Sequence, residues 1–256
     1  MKYYVVADPH GFYTELREAL NEKGFFSDVE PHKLIVCGDL MDRGQEALAM
    51  QDFILDLIEK DSVILVRGNH EDLMIDLLKG WNNASYKLRH HNTNGTVDTV
   101  LQLTGEYYVN FGNEIEIKEK LSKTPFVQKI IPSTVDYFET NNYIFVHGWL
   151  PCKQSDDSSF GTSLHYLNHW RKAEKEEWRS SRWLNGMAVW ADGIREPGKT
   201  IVCGHWHCSY GHCHLENKGS EFGKDADFSP FIQEGIIALD ACTALSKKVN
   251  CIVIED

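Results

Sequence analysis

The chain has 256 residues, 42% hydrophobic and 11% aromatic, enough apolar surface for one large domain or two small ones. A net charge of −12 argues against broad binding to nucleic acid or anionic membranes, and no apolar run approaches the ~20 residues that span a bilayer. Seven cysteines, an odd number with Cys37, Cys203, Cys242 and Cys251 in apolar runs, point to reduced thiols in a cytoplasmic protein.

In chain order, residues 3–7 read as a buried strand that stops at Asp8-Pro9-His10-Gly11. It reaches a candidate ligand so early that no signal peptide is expected. A helix is predicted over about 14–23, with Gly24 as its left-handed cap. Residues 34–37 form a second buried strand, broken at Gly38 and followed by Asp39, Asp42 and Arg43. A strand that ends in two carboxylates and a guanidinium is poor core material, whereas carboxylates bind hard cations and an arginine fork suits a phosphate. A helix over about 45–60 carries an apolar stripe that reads as core. The third strand, 63–66, ends in Arg67-Gly68-Asn69-His70-Glu71, where a further helix begins.

Residues 80 to about 132 hold fewer apolar runs, with short helices predicted over 96–103 and 115–123. They read as a cap-like insertion over the strand ends. A fourth strand, 143–146, ends in His147, and 151–163 reads as a polar loop. Residues 164–184 look helical, 187–190 strand-like, and 201–203 form a strand ending in Gly204-His205-Trp206-His207. Two more strands, 235–239 and 250–254, close the chain. Strands alternating with helices predict an α/β fold with a mixed sheet, or two packed sheets, in one domain over 1–256.

Five apolar strands therefore deliver Asp8/His10, Asp39/Asp42/Arg43, Asn69/His70, His147 and His205/His207. A single histidine after a strand reads as an ordinary surface residue. Five such endings predict convergence in one crevice at the strand carboxyl ends, and a metal site there. Cys203 to His214 packs three cysteines and four histidines into twelve positions, which raises a structural zinc site as a rival, although the spacing matches no paired-ligand knuckle.

Asp-x-His, Gly-Asp-x-x-Asp-Arg-Gly, Gly-Asn-His-Glu, a strand-borne His-Gly and a Gly-His, in that order, resemble the signature of calcineurin-like metallophosphoesterases. The forms Gly38-Asp-Leu-Met-Asp-Arg-Gly44 and Arg67-Gly-Asn-His-Glu71 are most similar to the phosphoprotein phosphatase branch, which includes serine/threonine phosphatases and symmetrical diadenosine tetraphosphatases. The resemblance implies a four-layer α/β/β/α sandwich with two central mixed sheets and an inserted helical cap. It implies two divalent ions, manganese first with iron or zinc as alternatives, one held by Asp8, His10 and Asp39, the other by Asp39, Asn69, His147 and His205. By the same resemblance His70 is the general acid oriented by Asp42, Arg43 binds phosphate, and hydroxide activated by the metals is the nucleophile. Ala7 and Trp206-His207 depart from the branch pattern; the Gly-His-x-His form resembles the wider superfamily and adds His207 to the first metal's shell.

Glu71 is read as a carboxylate favoured by the helix dipole and left out of the site. A second phosphate-binding arginine is expected among Arg89, Arg182 and Arg195. The leading expectation is a serine/threonine phosphatase-like phosphomonoesterase acting on a phosphorylated protein or small phosphoester. The alternative is a dinucleoside polyphosphate or nucleotide hydrolase, with Arg89, Asn92 and Asn94 in the nucleotide pocket. A non-catalytic metal-binding module is the reading from another class, disfavoured by the intact His70, Asp42 and Arg43.

Overall fold

Strand β1 (Lys2–Val6) turns Tyr3 and Val5 to one face and Tyr4 and Val6 to the other, and both faces are buried. The same holds for β2 (His32–Cys37), where Ile35 and Cys37 oppose Leu34 and Val36. This double burial makes these strands near-continuous apolar runs. The computed structural model describes residues 1–80, 84–110, 112–157 and 161–256. The remaining strands are β3 (Val63–Val66), β4 (Phe138–Glu139), β5 (Tyr143–Phe145), β6 (Cys152–Asp157), β7 (Gly161–Tyr166), β8 (Thr200–Cys203), β9 (Phe231–Gln233), β10 (Ile236–Ala238) and β11 (Cys251–Glu255).

One sheet has the order β11-β1-β2-β3, with β1, β2 and β3 parallel and β11 antiparallel to β1. The other has the order β4-β5-β8-β10-β9, with β5, β8 and β10 parallel and both edges antiparallel. Tyr3, Val5, Ile35 and Cys37 of the first sheet pack between the sheets against Phe145, Val202 and Leu239 of the second. The outer face of the first sheet packs on helices α1 (Tyr13–Glu22) and α2 (Ala47–Glu59) through Leu16, Leu20, Met50 and Ile54. The outer face of the second carries Trp149, Trp170, Trp178 and Met187. These layers are the expected α/β/β/α sandwich with two mixed sheets.

Helix α3 (Asn69–Gly80) follows β3, and the 80–132 stretch adds α4 (Ala84–Asn94), α5 (Thr96–Thr104) and α6 (Glu114–Ser122). Both predicted helices are present, and α4 is a third. Residues 81–83 and 111 of this stretch lie outside the described residues.

Three local expectations are corrected. Residues 151–163 do not form a simple polar loop, because β6 pairs with β7 in an antiparallel hairpin; residues 158–160 of that stretch lie outside the described residues. Residues 164–184 are not one helix. They continue β7, then make a tight turn at Trp170–Lys172 and a short helix at Lys175–Ser181, started by a capping box between Glu174 and Glu177. Residues 187–190 are helical within Gly186–Ala191, because the Asn185 side chain accepts the Ala188 amide at 3.2 Å and caps the first turn. A four-residue apolar run carries no period long enough to separate strand from helix.

Candidate metal centre

The loops after β1, β2, β3, β5 and β8 meet at one end of the two sheets. Six of their residues, Asp8, His10, Asp39, Asp42, Arg43 and His205, have φ between 48° and 78°. Left-handed backbone costs a non-glycine residue about 1–2 kcal/mol. Cross-loop bonds hold it here: the His10 amide donates to the Asp39 carbonyl at 2.9 Å, Gly11 to Leu40 at 2.7 Å, and Gly44 back to His10 at 2.8 Å. Such concentrated strain is characteristic of functional sites.

Two groups of donor side chains result, one of His10, Asp39 and His70, the other of Asp39, His147 and His205. Asp39 belongs to both. Its Oδ2 lies 3.7 Å from His10 Nε2 and 3.8 Å from His70 Nε2, and its Oδ1 lies 3.4 Å from His147 Nε2. Asn69 Oδ1 lies 2.7 Å from the same His147 nitrogen. His10 Nδ1 donates to the Met41 carbonyl at 3.0 Å and His147 Nδ1 to that of Cys37 at 2.9 Å, so each Nε2 lone pair faces inward. The Asp8 carboxylate accepts the His205 amide at 2.9 Å and lies 3.8 Å from His147 Nδ1.

This arrangement fits divalent cations on three observations. First, the lone pairs of His147 Nε2, Asn69 Oδ1 and Asp39 Oδ1 converge, and a cation satisfies all three together. Second, Asp8, Asp39, Asp42, Glu71 and Asp240 are all buried in one region, a concentration of negative charge that calls for compensation. Third, Gly68 and Gly38 let the ligands approach closely: a Cβ on Gly68 would come 2.0 Å from Asp39 Oδ1, and one on Gly38, 2.3 Å from His147 Nδ1. The mixed carboxylate, imidazole and amide set suits manganese, iron or zinc.

The electrostatics follow from burial and neighbours. Burial pushes the Asp39 carboxyl up, but the imidazoles of His147, His70, His10 and His205 outweigh it and hold it well below the usual range. Asp8 is raised by burial and by Asp240 and Asp39. Burial lowers His205 to about 3, with His147 adding to it, and lowers His10 with help from Arg43. Both shifts favour the neutral imidazole, the form that can donate a lone pair to a metal. His70 differs: burial lowers it, but Asp39 and the 2.7 Å bond from its Nδ1 to Asp42 Oδ2 raise it above its ordinary value. Arg43 reaches both rings, with Nη1 2.8 Å from His10 Nε2 and Nη2 3.2 Å from His70 Nε2.

His207 stands outside both groups, its Nε2 2.9 Å from Glu221. Of the candidate arginines, Arg182 is buried between Asp72 and Asp136, Arg195 lies over the Trp190 ring, and Arg89 lines a cavity beside α3. Among the described residues, the segment from Cys208 to His214 holds no group of metal-type donors, and Cys208 donates to the Ala238 carbonyl at 3.1 Å.

Four residues outside the predicted set contribute: Glu71, Thr96, Thr99 and Asp240. Glu71 does more than complement a helix dipole: it accepts the amides of Gly68, Leu40 and Asp39 at 2.7, 3.0 and 3.2 Å, tying the β2 and β3 loops together. Burial and Asp39 raise its carboxyl to about 7. The insertion supplies Thr96 and Thr99 of α5, whose hydroxyls donate to Asp42 at 2.8 and 2.7 Å. Asp240, after β10, is buried and raised to about 6 by its burial. Glu71 three positions past Gly68 was a legible helix-start signal, and Asp240 lies in Ala238-Leu-Asp-Ala-Cys-Thr-Ala244, a stretch similar to a minor feature of the phosphoprotein phosphatase branch; the threonines carried no signal.

A profile of the family described as calcineurin-like phosphoesterase matches residues 1–227. The symmetrical bis(5'-nucleosyl)-tetraphosphatase of Nitrosospira multiformis is 41% identical over 71 residues, 28% of this chain and 24% of that one. The asymmetrical bis(5'-nucleosyl)-tetraphosphatase PrpE of Bacillus subtilis is 33% identical over 86 residues, 31% of this chain and 35% of that one. The matches thus span only about a quarter to a third of these relatives' length. Among solved structures, the cold-active protein-tyrosine phosphatase of a psychrophilic Shewanella covers 100% of this chain and 75% of its own at 16% identity, with a TM-score of 0.54, a likeness of fold.

Proposed function

Since the chain belongs to the calcineurin-like phosphoesterase family, whose members hydrolyse phosphate esters with two metal ions, we propose which of its residues perform that hydrolysis. Asp8, His10 and Asp39 hold one ion; Asp39, Asn69, His147 and His205 hold the other. His207, engaged by Glu221, stays out of this set. When bound, the ions lower the pKa of a water and neutralise charge on the phosphoryl oxygens. Manganese is the first choice, and reconstitution of the chelated protein with manganese, iron or zinc tests it by turnover. Seven unpaired cysteines support a cytoplasmic setting.

The observation that carries the mechanism is the His70–Asp42 pair, 2.7 Å long and buried. Asp42 holds the His70 ring with its Nε2 toward the site, and its negative charge favours the imidazolium that can protonate a leaving oxygen. Arg43 presents its fork beside both rings and binds the phosphate. An acid so placed is worth about 10²–10⁴ in rate, most for a poor leaving group such as a serine or threonine alkoxide. His70→Asn should keep its metal content and lose about that factor on a phosphothreonine peptide. A variant as fast as the parent on that peptide would remove His70 from the role.

For the substrate, the acid supports phosphomonoesters of the phosphoserine and phosphothreonine type. The bis(5'-nucleosyl)-tetraphosphatase names of the relatives favour dinucleoside polyphosphates as a second reading. Rates on a phosphothreonine peptide and on diadenosine tetraphosphate, measured side by side in manganese buffer, separate the two.

A further inference from the structure

Helix α3 starts at the metal centre with Asn69 and His70. Leu73, Asp76 and Gly80, spaced four, three and four residues on from Asn69, continue one face of that helix away from it. This face lines a cavity of about 850 Å³, closed opposite by Arg89, His90 and Thr93 of α4 and by Arg179 and Trp183. The Trp183 ring stands edge-on to the ring of His205, with centroids 5.7 Å apart, so the cavity begins where the second donor group ends.

The cavity's charge runs against that of the chain. In a molecule of net charge −12 it gathers Lys79, Arg89 and Arg179, against Asp76 as the one lining carboxylate among the described residues. Asp76 pairs with Arg179. Lys79 and Arg89 have no ion-pair partner among the described residues. The Trp183 side is 45% exposed, an indole surface available for stacking. The volume is in the range of ~300–1,000 Å³ that accommodates small-molecule ligands. Among the described residues no strand edge lines it, so an extended peptide finds no backbone ladder there to join.

We propose that this cavity is a nucleotide subsite of the hydrolytic centre, in which Lys79 and Arg89 bind the phosphates and Trp183 stacks the base of a nucleoside polyphosphate. The proposal rests on the reading of the metal centre as the place of hydrolysis. Water oxygen forms the new bond to the scissile phosphorus. The bridging P–O bond breaks with its electron pair on the phosphate of the departing nucleotide, which the cavity holds, and one proton of the water goes to solvent.

The test compares the parent with a Lys79→Ala/Arg89→Ala double variant on diadenosine tetraphosphate, a phosphothreonine peptide and p-nitrophenyl phosphate, all with manganese. The double variant should lose about tenfold or more in kcat/KM on the dinucleotide and less than about twofold on p-nitrophenyl phosphate, which is too short to reach the cavity. Equilibrium dialysis of ADP against chelator-treated protein reads the cavity without turnover. There the double variant and Trp183→Ala should each bind about tenfold more weakly, the effect typical of losing a base-stacking aromatic or a phosphate contact. Equal losses on all three substrates, a loss confined to the peptide, or unchanged ADP binding would each overturn the subsite. A parent inactive on all three substrates would sink the hydrolytic reading instead, and the dialysis would still decide the cavity.

Discussion

In the proposed mechanism, Asp42 orients His70 and is itself held by its neighbours. Its Oδ2 takes bonds from His70 and Thr96, its Oδ1 one from Thr99, and its own amide donates to the Thr99 hydroxyl at 3.0 Å. Thr99→Val keeps the volume but removes both bonds to Thr99. Leaving the buried amide unpaired should cost about 1–3 kcal/mol in a denaturant titration. The looser Asp42 should lower kcat on a phosphothreonine peptide by about tenfold, with a smaller effect on p-nitrophenyl phosphate and unchanged metal content. An equal loss on both substrates would mean that Thr99 acts only on stability. The metal-type residues were legible because chemistry restricts their identity: few side chains can donate a lone pair to a cation. Thr96 and Thr99 were not, because a threonine in a helix is ordinary and only the tertiary fold turns its hydroxyl toward Asp42.

At the scale of elements, α5 is a strut. Besides the two threonines, Gln102 donates to the Gly44 carbonyl at 2.9 Å and accepts the Ala47 amide at 2.9 Å, so the insertion locks the turn that carries Asp42 and Arg43. The strands beneath the site were readable because both of their faces are buried. The stretch from 151 to 190 was not, since its hairpin is polar and its helices span fewer than two full turns, too short for periodicity to speak. The second sheet's edge depends on charge instead. Arg171 bonds to Glu139 of β4 and to Glu196, and Lys199 adds to Glu139. The bond from Arg171, with Lys199, lowers the Glu139 carboxyl to about 2 against the opposing effect of burial. A depressed carboxylate stabilises above its unfolded pKa and loses that contribution as pH falls through the folded one. The parent should therefore exceed Arg171→Ala in stability by about 1 kcal/mol at neutral pH, a figure kept low because Arg171 is partly exposed. The difference should close between about pH 4.5 and pH 2, read from melting curves at each pH. A gap that persisted at pH 2 would assign Arg171's contribution to its packing over the Trp170 ring.

Across the whole molecule, the buried carboxylates of the centre form a strongly unfavourable cluster that cations relieve. Ions that bind only the folded chain stabilise it by about 2.7 kcal/mol at a hundredfold excess over Kd. For a chain of this size that is a rise in Tm of roughly 5–10 °C, and chelation should reverse it. A Tm indifferent to manganese and chelator alike would count against the centre. The layered fold was legible from the succession of apolar runs, and the five strand ends foretold their convergence. The cavity beside α3 was not, because its walls come from three separate stretches that no local pattern links.

The two donor groups also differ in when the growing chain can supply them. His10, Asp39 and His70 lie within the first third of the polypeptide, whereas the second group waits for His147 and then His205. At synthesis rates of about 5–20 residues per second, roughly 7–27 seconds separate the emergence of His70 from that of His205. On the ribosome, the donor groups of the centre are thus completed in two instalments, the second more than a hundred residues after the first.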